Sequence, residues 1–164
     1  MIVTLLLDER SQAYFDRLRR AHFPRERLVV GAHVTLFHAL PDDAGPVVAG
    51  VLAELGPAPS DVVVTGLRSL GRGVAFTLEA PGVAALRDRI AREFAELLTA
   101  QDRQRWRPHV TVQNKVEPVA ARALLSELSA AFTPFTATAL GLALWRYRGG
   151  PWDLETEHRF GSGG

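Results

Sequence analysis

The chain has 164 residues, of which 47% are hydrophobic and 23% are charged, and its formal net charge is +1. This balance is typical of one globular domain, so it excludes a disordered or fibrous chain and the strongly basic surface that long duplex RNA requires. Cysteine is absent, which excludes a disulfide framework, a thiolate zinc site and a cysteine nucleophile. With no targeting or membrane-spanning segment visible, we expect a cytoplasmic protein that does not contact a membrane.

The first third of the chain alternates strand and helix. The apolar run at residues 2–8 predicts a central strand, and residues 9–22 predict a helix that Asp8 caps. A strand is predicted at residues 32–38, and a helix with an apolar stripe at residues 46–55. Three side chains of the first helix are expected to face solvent: Arg17, Arg19 and Arg20.

The remainder is predicted to form two hairpins, two helices and one further strand. In chain order these are 61–70 with 73–79 (hairpin), 83–97 (helix), 109–116 (strand), 118–132 (helix) and 135–147 with 152–160 (hairpin). Adjacent hairpins require antiparallel pairing, so the β-α-β-α-β-β-α-β-α-β-β order predicts an α+β fold with mostly antiparallel sheets. We expect a single domain over residues 1–164, with residues 161–164 as a flexible tail.

One unit occurs twice along the chain. It consists of a strand with a histidine, then a helix, then a hairpin, and it spans approximately residues 32–79 and again 109–160. The chain is therefore predicted to consist of two related halves. No glycine-rich nucleotide loop accompanies them, since the turn at residues 71–73 lacks the rest of any phosphate-loop pattern.

Both predicted histidine strands contain the tripeptide His-Val-Thr. Because residues i and i+2 of a strand point the same way, His33 shares a face with Thr35, and His109 shares a face with Thr111. From the numbers of histidines and threonines, roughly 0.3 His-x-Thr triplets would arise by chance. Two are present, at matching places in the two halves, so a functional role is favoured over two structural histidines.

Paired imidazoles suit phosphodiester chemistry. Opening a cyclic phosphate requires a base that deprotonates water and an acid that protonates the leaving oxygen, and histidine serves either role near neutral pH. Threonine hydroxyls can donate to the non-bridging oxygens, where negative charge gathers in the transition state. We therefore predict His33, His109, Thr35 and Thr111 as catalytic residues, with no metal and no cofactor.

These motifs resemble those of the 2H phosphoesterase superfamily, which includes the 2′-5′ RNA ligase-like proteins. The resemblance extends over about residues 2–160 and is carried by 32–37 and 107–115, while 144–147 and 150–152 are similar to a bacterial branch. It implies a bilobal, pseudo-two-fold, LigT-like fold with flanking helices, and a central cleft that holds both motifs. It also implies metal-independent chemistry on 2′-5′ or cyclic phosphodiester bonds.

Further candidates for substrate binding flank the two motifs. Phe37 and Gln113 continue the strand faces of the histidines, so they could line the cleft or simply extend the sheet. Arg107 and Lys115 lie on either side of the second motif and could hold substrate phosphates or be solvated surface residues. The last hairpin has an aromatic and basic cluster that includes Arg146, Tyr147 and Trp152 and could bind a base or pack in the core. His38 is expected on the strand face opposite His33, as a structural or partly exposed residue.

Three classes of function remain open from the sequence. The favoured one is a metal-independent phosphodiesterase that hydrolyses cyclic 2′,3′-type or 2′-5′ bonds in small nucleotides or RNA ends, or the reverse reaction of 2′-5′ RNA ligation. The second is a non-catalytic module that binds a nucleotide or RNA end in the same cleft. The third, a metal-dependent hydrolase, is disfavoured because no carboxylate lies near either motif. No obligate protein partner is predicted.

Overall fold

The structure, a computed structural model, describes residues 1–161, so residues 162–164 of the predicted tail lie outside it. The order of elements predicted from the sequence is confirmed. The strands are β1 (Ile2–Leu7), β2 (Thr35–Phe37), β3 (Asp61–Ser69), β4 (Val74–Glu79), β5 (His109–Gln113), β6 (Phe135–Tyr147) and β7 (Trp152–Arg159). The helices are α1 (Glu9–His22), α2 (Gly45–Ala53), α3 (Pro81–Glu93) and α4 (Pro118–Ala131), with a 3₁₀ turn at Arg25–Arg27.

The fold is α+β, and each recorded strand pair is antiparallel. The strand β6 is long enough to belong to two sheets. Its first half pairs with β3, which continues to β4 and β5, and its second half lies between β1 and β7. One sheet therefore has the order β2-β1-β6-β7 and the other has the order β6-β3-β4-β5. The two histidine motifs lie at edge strands, one in each sheet.

The two sequence units exchange hairpins between the sheets. The β3–β4 hairpin of the first unit pairs with β5 of the second, and β6–β7 of the second unit completes the sheet of β2. Aromatic side chains pack between the sheets and helix α1, where the Phe15 and Phe76 ring centroids are 5.3 Å apart. No helix within residues 1–161 is long and apolar enough to cross a membrane.

Helix α1 begins as predicted. The Asp8 side chain accepts a hydrogen bond from the Ser11 backbone N–H at 3.0 Å, which caps the first turn. The expectation that Arg19 faces solvent is wrong, because only 7% of this residue is exposed. Its guanidinium donates to the Val30 and Thr111 carbonyl oxygens at 3.0 and 2.7 Å, so the helix holds β5 by a buried cation.

Both motif strands contain an extra residue at the same place. In β2, Thr35 pairs with Thr4 and Phe37 pairs with Val3, so Leu36 has no partner of its own. In β5, Thr111 pairs with Ala75 and Gln113 pairs with Val74, which leaves Val112 unpaired. Each is a β-bulge one residue after the motif threonine, and a bulge re-aims the side chains that follow it. The strands are also shorter than the predicted 32–38 and 109–116, the second ending before Lys115, whose φ is 61°.

Candidate active site

The two motifs meet at one groove between the sheets, a cavity of about 810 Å³ that we call the histidine groove. A cavity of this size accommodates a nucleotide. Its lining includes His33, Thr35 and His109, so three of the four residues predicted as catalytic are brought together. The lining also includes His38, Arg68, Asp102, Arg105, Trp106, Arg107 and Trp152.

The two imidazoles are held in the same way. Nδ1 of His33 lies 2.7 Å from the Gly31 carbonyl oxygen, and Nδ1 of His109 lies 2.9 Å from the Arg107 carbonyl oxygen. A carbonyl oxygen only accepts hydrogen bonds, so each Nδ1 carries a proton and donates it. Nε2 is then the nitrogen left to exchange a proton with a bound molecule. Each histidine is fixed by the carbonyl two residues before it, which is a local consequence of the motif.

The threonines differ in their position at the groove. Thr35 lines it, and its carbonyl oxygen accepts a 2.8 Å hydrogen bond from Trp106 Nε1. Thr111 shares the β5 face of His109, because the bulge in β5 comes only after Thr111. Thr111 is half-buried, however, and is not among the groove-lining residues. The carbonyl oxygen of Thr111 is the one that Arg19 holds. Both motif backbones are thus fixed by side chains from distant parts of the chain.

Burial makes His33 electrostatically unusual. Loss of solvent lowers its pKa from 6.5 to about 4, and the positive charges of Arg19, His109 and His38 lower it further, while the hydrogen bond to Gly31 opposes the change. The indole of Trp152 covers the ring, with the two ring centroids 4.7 Å apart. His33 is therefore neutral at pH 7, with an unprotonated Nε2.

Phe37 and Gln113 do not reach the groove. The bulges at Leu36 and Val112 shift the side-chain alternation by one residue, so both side chains turn into the core. Phe37 is fully buried beneath the Arg87 guanidinium, whose Cζ lies 4.7 Å from the ring centroid. Gln113 is 6% exposed, and its Oε1 has no hydrogen-bond partner among the described residues. The equal strand periodicity assumed from the sequence was wrong at both positions.

Of the four other residues predicted to bind substrate, one lines the histidine groove and three do not. Arg107 lines the histidine groove, whereas Lys115 is exposed beyond the end of β5 and is not part of the lining. Arg146 and Tyr147 line a separate cavity of about 500 Å³. There the Arg146 guanidinium is held by Glu155 at 2.7 Å, so its charge is already compensated by a carboxylate.

His38 lies in the histidine groove with His33, and the prediction that it faces the other way is wrong for the same reason as Phe37. Its Nδ1 is 3.0 Å from the buried carboxylate of Asp102, which also accepts from the backbone N–H groups of His38 and Ala39. Asp102 thereby ties the segment 94–108 to the end of β2. The sequence offered one signal for this segment, the polar stretch of residues 101–107 directly before the second motif.

The sequence profile of the 2′-5′ RNA ligase superfamily matches residues 7–151. The chain belongs to this superfamily. Among solved structures, the chain is similar to TT0787 of Thermus thermophilus (16% identity, TM-score 0.58, 98% of each chain covered). It is also similar to E. coli LigT complexed with 3′-AMP (14% identity, TM-score 0.58, 98% of this chain and 97% of that chain covered) and to LigT complexed with NADP+ (14%, 0.55, 97% and 95%). These likenesses show the superfamily's LigT-like fold. No curated protein gives a significant match.

Proposed function

We propose that this protein is a metal-independent phosphodiesterase that hydrolyses cyclic 2′,3′-type or 2′-5′ phosphodiester bonds in small nucleotides or RNA ends. The observation that carries the proposal is the pair of imidazoles in one groove, each with Nδ1 held by a backbone carbonyl and Nε2 left available. An acid and a base on the two sides of a phosphorus atom are what in-line displacement by water requires.

His33 is the general base and His109 is the general acid. His33 is neutral at pH 7 because burial lowers its pKa, so its Nε2 can take a proton from water as the water oxygen attacks phosphorus. The new bond joins that oxygen to phosphorus, and the bond from phosphorus to the leaving oxygen breaks. His109 Nε2 donates a proton to the leaving oxygen. The cycle closes when the His33 imidazolium returns its proton to solvent and His109 is protonated again.

The negative charge on the phosphoryl oxygens is stabilised by donors around the two imidazoles. Thr35 lines the groove, so its hydroxyl is assigned to a non-bridging oxygen. Thr111 does not line the cavity, and its hydroxyl is assigned the same role from its place on the strand face of His109. Arg107, at the groove wall beside His109, supplies a cation that attracts the substrate phosphate. Trp106 and Arg19 keep the threonine backbones in place and act as positioning residues.

The superfamily and its solved members support a nucleotide substrate. E. coli LigT has been crystallised with 3′-AMP and with NADP+. A nucleoside 3′-phosphate is one of the two products of opening a 2′,3′-cyclic phosphate, so 3′-AMP is a molecule of the kind that the proposed reaction releases. The superfamily name refers to the reverse reaction, ligation, which would use the same two histidines with their roles exchanged.

The test is a turnover screen of nucleoside 2′,3′-cyclic phosphates and 2′-5′-linked dinucleotides in the presence of EDTA. We expect turnover in chelator, and a loss of roughly 10²–10⁴ in kcat for His33→Asn and for His109→Asn. Asparagine can still donate to the Gly31 or Arg107 carbonyl but has no group in place of Nε2, so it removes the chemistry and keeps the local hydrogen bond. The double variant should lose little more than either single variant, because the pair acts as a unit.

His22→Asn is the matched control, since His22 lies in the last turn of α1 and not among the groove residues. Activity that disappears in EDTA would contradict a metal-independent reaction. Tight nucleotide binding without turnover on any substrate would instead favour a binding module that uses the same groove.

A further inference from the structure

A second groove opens from the histidine groove on the side of His109. It is a cavity of about 630 Å³, and we call it the arginine groove because Arg68, Arg105 and Arg107 line it. The same three arginines, together with Trp106 and His109, also line the histidine groove, so the two cavities adjoin at these side chains. A molecule held at the histidines can therefore extend past His109 into the arginine groove.

The arginines of this groove have no compensating partners. Within residues 1–161, the side chains of Arg68, Arg105 and Arg107 form no recorded ion pair or hydrogen bond, and the Nε of Arg68 is buried without an acceptor. Elsewhere in the fold, the most buried arginines are satisfied: Arg19 and Arg87 donate to backbone carbonyl oxygens. A buried guanidinium nitrogen without an acceptor is costly in the free protein, so Arg68 is arranged for a ligand that supplies an acceptor. Arg105 and Arg107 are exposed cations beside it.

The charge of the arginine groove selects an anion. Three guanidinium groups face one carboxylate, that of Glu79, among the lining residues. Guanidinium groups bind phosphate oxygens through paired N–H donors, which gives both strength and geometry. A sugar hydroxyl or a base could accept a hydrogen bond from the buried Nε of Arg68, but an uncharged group would leave the net positive charge of the groove uncompensated.

We propose that the arginine groove is a second phosphate site, which holds a phosphate of the substrate other than the one that reacts. The inference rests on the proposed function and specifies its substrate: a nucleotide with at least two phosphate groups. Because His109 is assigned as the acid, the leaving oxygen lies on its side, and the part of the nucleotide beyond that oxygen is directed into the arginine groove. Arg68 and Arg105 then determine specificity, while the reacting phosphate stays between the histidines with Arg107 beside it.

The test compares two substrates that differ only in the second phosphate: adenosine 2′,3′-cyclic phosphate with and without a 5′-phosphate. For the wild-type protein we expect kcat/KM to be roughly 10- to 100-fold higher with the 5′-phosphate, through KM, as for one or two charge-assisted contacts. Arg68→Gln and Arg105→Gln should each reduce this ratio about tenfold, affecting the 5′-phosphorylated substrate more than the other. Arg122→Gln, on the exposed side of α4, is the charge-matched control and should leave the ratio unchanged.

A binding measurement separates this inference from the proposed function. Adenosine 3′,5′-bisphosphate and adenosine 3′-phosphate are titrated calorimetrically into wild type and Arg68→Gln. If neither cyclic substrate is hydrolysed but the bisphosphate binds at least tenfold more tightly in wild type alone, the second phosphate site stands and the proposed function fails. If hydrolysis occurs but the 5′-phosphate gives no advantage, or if its advantage survives in both arginine variants, the second phosphate site is refuted and the proposed function stands.

Discussion

Replacing Trp152 by alanine should raise the pKa of His33. Burial is the largest cause of the lowering from 6.5 to about 4, and Trp152 covers the imidazole at 4.7 Å between ring centroids. At about 1.4 kcal/mol per pH unit, the lowered pKa corresponds to roughly 3 kcal/mol in favour of the neutral ring. Removing the indole admits water to one side of that ring, so we expect a rise of about one pH unit or more towards 6.5.

The pKa can be read directly from the Cε1 proton of His33 in an NMR titration, with the resonance assigned by its loss in His33→Asn. The acid side of the kcat/KM profile should move with it, because that limb reports ionisation in the free enzyme. In wild type, kcat/KM should therefore fall only as the pH approaches 4, and in Trp152→Ala at a higher pH.

Trp152→Phe is the matched control, since a phenyl ring keeps an aromatic cover over His33 and its pKa should stay near 4. Phosphate bound in the groove should raise the pKa in all three proteins, because a nearby negative charge favours the imidazolium. A wild-type His33 that titrates near 6.5 would refute the reasoning altogether. An unchanged value in a folded Trp152→Ala would show that Trp152 is not the source of the desolvation.

The remaining predictions concern stability. The folded-state pKa of His33 is below its unfolded value, so the neutral ring contributes to the free energy of unfolding fully above pH 6.5, and this contribution is lost as the pH falls to about 4. Urea unfolding should therefore show a decrease of up to about 3 kcal/mol in the free energy of unfolding over this pH range. His33→Asn should abolish this pH dependence. Asp102→Ala should lower the free energy of unfolding by roughly 1–3 kcal/mol per hydrogen-bond donor left buried and unpaired. It should also reduce kcat/KM, whereas equal activity would show that the 94–108 segment needs no such anchor. Gly73→Ala should lower the free energy of unfolding by roughly 1–3 kcal/mol, because the added Cβ would overlap the Gln113 carbonyl oxygen. A Cβ at Gly45 meets nothing within 4 Å, so Gly45→Ala is the control and should unfold at nearly the wild-type temperature when both variants are melted thermally.

The shared direction of His109 and Thr111 could be predicted from local sequence, because both lie in β5 and a strand places residues i and i+2 on one face. In the first motif β2 begins only at Thr35, so His33 lies before the strand, and both residues nevertheless line the groove. The recurrence of the motif in a second strand, at a matching place in a repeated unit, indicated that the two copies act together. The α+β class followed in the same way from hairpins, whose pairing partner is the next strand along the chain.

The predictions of side-chain direction that were wrong concern residues just after the motifs, where the side-chain alternation changes. Phe37, His38 and Gln113 were placed by assuming regular strands, but a bulge depends on how the neighbouring strand is paired. The bulge in β2 lies opposite Val3 and Thr4 of β1, and the bulge in β5 lies opposite Val74 and Ala75 of β4. Nothing in the five or six residues around each motif contains that information, because the partner strands are contributed by other parts of the chain.

The sequence by itself determined the order of the elements, the α+β class, the duplicated motif and the type of chemistry that two imidazoles and two hydroxyls can perform. The tertiary structure decided that the pKa of His33 is lowered, because that pKa depends on the burial and charge contributed by residues remote in the chain, among them Trp152, Arg19 and His109. The tertiary structure also decided which cations line the arginine groove. Arg68 comes from β3 and Arg105 from the segment before β5, and they meet only because desolvation and strand pairing bring those segments to one cavity.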